Sequence, residues 1–137
     1  MLVRDIMHSG VKVINHKLSV ELAAKMMAEN DIGSIPVEKN DKLIGMITDR
    51  DITIRVVATG KNPKVTKVSE CMTEGINYCF DDNELDVVAK KMKENKQRRL
   101  PVINRQKRLV GIISLAEITN IRLEPNMAKE ILSTLTH

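Results

Sequence analysis

Thr48 and Asp51 stand three residues apart in the string Ile47-Thr48-Asp49-Arg50-Asp51, and Ser114 and Glu117 repeat that spacing further on. Each pair follows an aliphatic stretch at an expected strand-to-helix junction. A separation of three places a hydroxyl and a carboxylate on one side of the first helical turn. From there the carboxylate can accept from a vicinal diol, and the Thr48 hydroxyl can donate to a phosphate or sugar oxygen. The same pair also reads as an N-cap with an acidic first turn, which is favourable in itself. On spacing alone the cap is the favoured reading, and the two roles are compatible. Arg98 and Arg99, adjacent in sequence, and Arg50 carry guanidinium forks that match phosphate oxygens. The plainer alternative for Arg98 and Arg99 is a solvated strand entry.

Chemistry of other kinds finds little footing. His8, His16 and His137 form no i, i+4 pair, and no Cys–His spacing suits a metal. No nucleophile elbow, phosphate-binding loop or GxGxxG string occurs. With no acid, base or nucleophile positioned for turnover, the expectation is a protein that is not an enzyme, has no catalytic residues, binds no metal and requires no cofactor. Cys71 and Cys79 read as buried small side chains in a reduced protein rather than as a redox or disulfide framework.

The elements that must position these residues are built from an unusual core. Of 137 residues, 42% are hydrophobic and 29% charged, yet there is one Tyr, one Phe and no Trp, with eight Met. A core of Ile, Leu, Val, Ala and Met suits parallel strands covered by helices. The opening residues lack a signal-peptide pattern, and no apolar run approaches the ~18 residues of a membrane span. A cytoplasmic protein that does not engage a membrane is expected. The net charge of +4 is compatible with an anionic ligand, with nucleic acid or with neither.

Self-similarity settles the organisation. A displacement of 65 residues lays Met7 on Met72, Gly10 on Gly75, Met27 on Met92, and Pro36-Val37 on Pro101-Val102. After one inserted residue, Leu43 matches Leu109, Gly45 matches Gly111, Ile47 matches Ile113 and Ile52 matches Ile118. Each copy reads β-α-β-β-α. A short extended segment (Val11 to Ile14, or Ile76 to Phe80) precedes a helix capped by Ser19, or by Asp82 or Asn83. The helix buries Val20, Ala23, Ala24 and Met27, or Leu85, Val88, Ala89 and Met92, at the i, i+3, i+4, i+7 spacing of one stripe. Two strands follow, from Ser34 and from Leu43 in the first copy, and from Arg99 and Leu109 in the second. A second helix starts after Thr48 or Ser114. The expected boundaries are 2–58 for the first repeat, 59–67 for a linker, 68–121 for the second repeat and 122–137 for a helical tail opened by Pro125, with Met127, Ile131, Leu132 and Leu135 near one face.

Three strings, each found twice, resemble the CBS-domain family. Val3-Arg4-Asp5-Ile6-Met7 and Val68-Ser69-Glu70-Cys71-Met72 are similar to its V-x-(D/E)-x-M opening. Ile35-Pro36-Val37 and Leu100-Pro101-Val102 resemble its hydrophobic-Pro-Val strand, and Gly45 to Ile52 and Gly111 to Ile118 its G-x-x-(T/S)-x-x-(D/E) ending. The resemblance implies an α/β fold of two CBS repeats packed with pseudo-twofold symmetry into one Bateman module. It implies a regulatory sensor that binds adenosine-containing ligands (AMP, ADP, ATP or S-adenosylmethionine) in clefts between the repeats and acts through a homodimer on a separate effector protein. By the same resemblance, Thr48, Arg50 and Asp51 face Met72, Gly75 and Asn77 in one cleft. Ser114 and Glu117, with Arg98 and Arg99 as phosphate partners, face Met7, Gly10 and Lys12 in the other. Glu117 is one methylene longer than the usual Asp, and Gly33-Ser34 carry no charge where Arg98-Arg99 stand in the second copy. An interaction module with vestigial clefts is therefore an alternative. So is nucleic-acid binding through the basic second copy (Lys90, Lys91, Lys93, Lys96, Arg98, Arg99, Arg105, Lys107, Arg108), though the scarcity of aromatic stacking platforms speaks against it.

Overall fold

Alternation of short strands and helices is what the computed structural model shows over residues 1–123, the described part of the chain. The order is α1 (Val3–Ile6), β1 (Ile14–Asn15), α2 (Val20–Asn30), β2 (Ser34–Lys39), β3 (Lys42–Thr48) and α3 (Asp49–Ile52), which runs into a π-helical turn, Thr53–Val57. Then come α4 (Val68–Cys71), β4 (Cys79–Phe80), α5 (Leu85–Glu94), β5 (Arg99–Ile103), β6 (Leu109–Ser114) and α6 (Leu115–Leu123). The expected helix from Pro125 lies outside the described residues.

The chain forms two compact units, and neither coincides with a sequence repeat. One is Lys12–Ile76; the other joins Met1–Val11 to the stretch from Asn77 onward. Each repeat's opening segment is thus part of the unit built on the other repeat.

In the Lys12–Ile76 unit, β1 pairs parallel to β2, and β2 antiparallel to β3, with Val37 opposite Gly45 and Ser34 opposite Thr48. The core holds Ile14, Val20, Ala23, Met27, Ile35, Val37, Ile47 and Val56, joined by Val68, Cys71 and Met72 from α4 and its end. Ser19 caps α2 by accepting from the Leu22 amide, and the two amides Val20 and Glu21 donate to the carbonyls of Thr66 and Pro63. The linker's end is therefore docked on α2, with Thr66 buried. Ala24, expected on the buried stripe, is exposed.

The other unit repeats the plan with β4, β5 and β6 and a core of Cys79, Leu85, Val88, Ala89, Met92, Leu100, Val102, Ile113 and Ile118, into which Val3 inserts. Here the cap differs from the expectation. Glu84 is the N-cap of α5 and makes no side-chain cap bond. Asn83 instead accepts from the Phe80 amide within the preceding turn, and Asp82 is engaged by Arg105.

The V-x-(D/E)-x-M string now has a physical account. Val3 and Val68 are fully buried, and the carboxylates of Asp5 and Glu70 accept the backbone amides of Leu2 and Lys67 at the heads of α1 and α4. Met7 and Met72 lie against the glycines of β6 and β3. A Cβ on Gly111 would stand 2.8 Å from Met7 Sδ, and one on Gly45 would stand 3.0 Å from Met72 Sδ.

Candidate functional site

In the Lys12–Ile76 unit, β3 delivers Thr48 to the head of α3. Its hydroxyl accepts from the Asp51 amide at 3.0 Å, and Asp51 Oδ2 accepts from the Thr48 amide at 3.0 Å, a closed capping box. The carboxylate is engaged further. Thr73 Oγ1 lies 3.2 Å from Oδ1 and 3.3 Å from Oδ2, and Arg55 Nε is 4.0 Å from Oδ1. Arg55 also donates to the carbonyls of Cys71 and Met72. Asp51 is left 9% exposed. Thr73 reaches it because its backbone exchanges two hydrogen bonds with Met46 beside Gly45, where any Cβ would lie 2.7 Å from the Thr73 carbonyl oxygen. Burial first, and the Asp51 carboxylate second, push the Cys71 thiol above its ordinary value.

Arg50 points elsewhere. It is exposed and lines a depression of about 360 Å³ with Asp49, Thr53 and Ile54, a set that does not include Asp51.

In the other unit, Ser114 caps α6 by accepting from the Glu117 amide at 3.1 Å. Arg99 pairs with Ser114 across the sheet, and the Leu115 amide donates to the Arg98 carbonyl, so both arginines border the helix head with exposed side chains. His8 exchanges two backbone hydrogen bonds with Ile112, as Thr73 does with Met46. The carboxylate, however, is treated differently. Glu117 Oε2 is buried and has no hydrogen-bond partner among the described residues. Glu117 lines a cavity of about 370 Å³ with Ile6, Met7, His8, Asn120 and Ile121.

The structure thus brings Met72 to the unit of Thr48 and Asp51, and Met7 to Glu117. Gly75 and Gly10 adopt left-handed turns with φ of 64° and 73°, which accounts for glycine there. Asn77 and Lys12 do not join their expected partners' units. Asn77 belongs to the unit of Glu117, where it donates to Gln97, and Lys12 to that of Thr48. Thr73, Arg55 and His8 were not foreseen from the sequence. Thr73 and His8 each follow the Met of the opening string, so the repeat alignment contained the signal for that pair. Part of the basic second copy is occupied structurally: Lys91 donates to the Tyr78 carbonyl and Arg105 binds Asp82. Among the described residues no three His, Cys, Asp or Glu side chains gather as a metal site, and no helix is long and apolar enough to cross a membrane.

The CBS domain matches the chain twice, at residues 3–58 and 68–124. The chain belongs to the CBS-domain family. The chain is similar to Hypoxic response protein 1 of Mycobacterium tuberculosis, at 38% identity over 116 residues, covering 84% of this chain and 80% of that protein. A crystal structure of Hypoxic Response Protein I with two coordinated zinc ions superposes with a TM-score of 0.77 at 36% identity, over 88% of this chain and 98% of that one. The CBS domain pair of protein MJ0100, in complex with 5′-methylthioadenosine and S-adenosyl-L-methionine, gives a TM-score of 0.70 at 30% identity, over 88% and 94% of the two chains. CBSX2 in complex with AMP gives 0.74 at 26%, over 89% and 96%.

Proposed function

We propose that this CBS pair is a non-catalytic regulatory module that binds an adenosine-containing ligand at its strand-to-helix junctions and acts through a homodimer on a separate effector. The observation that carries the reading is the cavity that Glu117 lines together with Ile6, Met7 and Ile121. An apolar slot for a base beside an acceptor for a diol is the chemistry a nucleoside requires. Relatives solved with AMP and with adenosine sulfur compounds support the ligand class. The candidate residues are Ser114, Glu117, Met7 and Gly10, with Arg98 and Arg99 for a phosphate, at one junction. At the other they are Thr48, Asp51, Met72 and Gly75, with Arg50. Exposed Ile54 and Val57, and Val87 on α5, are apolar surface that a second copy would cover.

Calorimetric titration with adenosine, AMP, ATP and S-adenosylmethionine, beside melting curves, tests the reading. A ligand at 100 times its dissociation constant adds about 2.7 kcal/mol of stability if only the folded state binds. Arg99→Ala is expected to weaken AMP and ATP more than adenosine. No binding and no shift with all four ligands rejects the reading, and phosphate release from ATP that tracks the pure protein rejects its non-catalytic part.

A further inference from the structure

The end of the linker carries side chains that the Lys12–Ile76 unit does not use. Backbone hydrogen bonds hold this stretch against the head of α2. The Val20 and Glu21 amides donate to the carbonyls of Thr66 and Pro63, and the Val68 amide donates to the Leu18 carbonyl. Ser19 stands opposite Lys67 in the same pairing. Leu18, Leu22 and Val65 are thereby gathered around one junction, and they remain 42%, 39% and 73% exposed. Lys17, Lys64 and Lys67 belong to the same two stretches. All three are exposed, and none is ion-paired among the described residues. The fold does not require this composition. A displacement of 65 residues puts Asp82 in the place of Lys17 and Leu2 in the place of Lys67. Exposed apolar surface rimmed by charge marks a contact site.

We infer that this face docks the effector through an acidic segment of that protein, whose aliphatic side chains seat on Leu18, Leu22 and Val65 and whose carboxylates meet the three lysines. This rests on the effector part of the reading above and adds to it the chemistry of the partner. Charge complementarity selects the occupant. A second copy presenting the same face would set lysine against lysine, and at the repeat-equivalent face Asp82 is already held by Arg105. A single-stranded nucleic acid needs rings to stack on, and the chain's one Tyr and one Phe lie beside and on β4, in the other unit. A bilayer surface needs apolar side chains that protrude, whereas Leu18 and Leu22 are each more than half covered.

Fluorescence anisotropy on the full chain tests this, with a labelled peptide of about 16 residues that carries a helical stripe of leucines flanked by glutamates. Binding is expected, and it should weaken tenfold or more between about 50 and 500 mM salt. The double variant Lys64→Glu with Lys67→Glu should weaken it at least tenfold, and so should serine in place of the peptide's leucines. In NMR spectra of the complex the shifted amides should cluster at residues 17–22 and 64–67. Absence of binding, indifference to the two lysine reversals, or shifts centred on Lys107 and Arg108 would overturn the inference. So would tighter binding to phosphatidylserine vesicles or to a single-stranded oligonucleotide, or a dimer that the lysine reversals dissociate. Calorimetry with AMP on the same double variant should match the unaltered chain. A lost docking face and a lost adenosine site are thereby told apart.

Discussion

Thr73 Oγ1 sits 3.2 Å from Asp51 Oδ1, so a residue just past the second repeat's opening string completes the helix head of the first repeat. Thr73→Val removes that donor without changing shape and is expected to lower stability by about 1 kcal/mol. Asp51→Ala also opens the capping box and should cost about 1–2 kcal/mol. Urea unfolding midpoints check both, and Asp51→Ala melting like the parent would show that the box contributes nothing.

Gly45 and Gly111 admit the two opening segments to the sheets. Alanine at Gly45 would place its Cβ 2.7 Å from the Thr73 carbonyl oxygen, and at Gly111 the obstacles are Met7 Sδ at 2.8 Å and His8 O at 2.9 Å. At Gly45 the nearest obstacle is backbone, and at Gly111 a backbone oxygen crowds as closely as the sulfur, so neither site can relax by a rotamer change alone. Gly45→Ala and Gly111→Ala should each destabilise by about 1–3 kcal/mol, the cost of overpacking. Hydrogen exchange should show the loss concentrated in Met72–Thr73 and Met7–His8, and uniform loss would contradict the docking role.

Burial pushes the Cys79 thiol up to about 12 from about 9. A raised folded value means that the folded state holds its proton more tightly. The stability this contributes is full below pH 9 and is lost as the pH climbs from there toward 12. The stability difference between the parent and Cys79→Ala should therefore shrink between pH 9 and pH 11. Both cysteines should resist alkylation at pH 8 until the chain unfolds, and rapid labelling of the native protein would refute their burial.

Arg105 grips Asp82 with two bonds of 2.9 and 2.7 Å and stacks 3.9 Å over the Phe80 ring. The guanidinium holds the Asp82 carboxyl below the usual carboxylate range. The pair's contribution is present above the ordinary carboxylate value and is lost as pH falls through the lowered one. Arg105→Gln should raise the Asp82 midpoint in an NMR titration, while the exposed pair's removal moves the melting temperature little.

The repeat, the β-α-β-β-α order within each copy and the two hydroxyl–carboxylate pairs were legible in the sequence, because they rest on local spacing, whereas the one-turn helices α1 and α4 that precede each copy's first strand were not read from it. Leu85, Val88, Ala89 and Met92 are buried as their periodicity implies. Ala24, at the matching place, is exposed. Periodicity marks a face but not how far a neighbour covers it. Asp82 is a good capping type diverted by Arg105, which is 23 residues away and beyond a local reading, and Asn83 is diverted by the Phe80 amide of the turn before it. The partners of Asp51 were illegible for a related reason. Thr73 is 22 residues away and reaches the carboxylate only because the glycine at 45 lets two backbones meet.

The unit boundaries at Lys12 and Ile76, rather than at the linker, make this a molecule that cannot be halved cleanly. Scission near Gly60 would yield two fragments, each holding the plug for its sister's socket: Met1–Val11 in one, Val68–Ile76 in the other. Neither fragment is self-sufficient, but mixed together they have the means to complement each other, as the halves of a split reporter do.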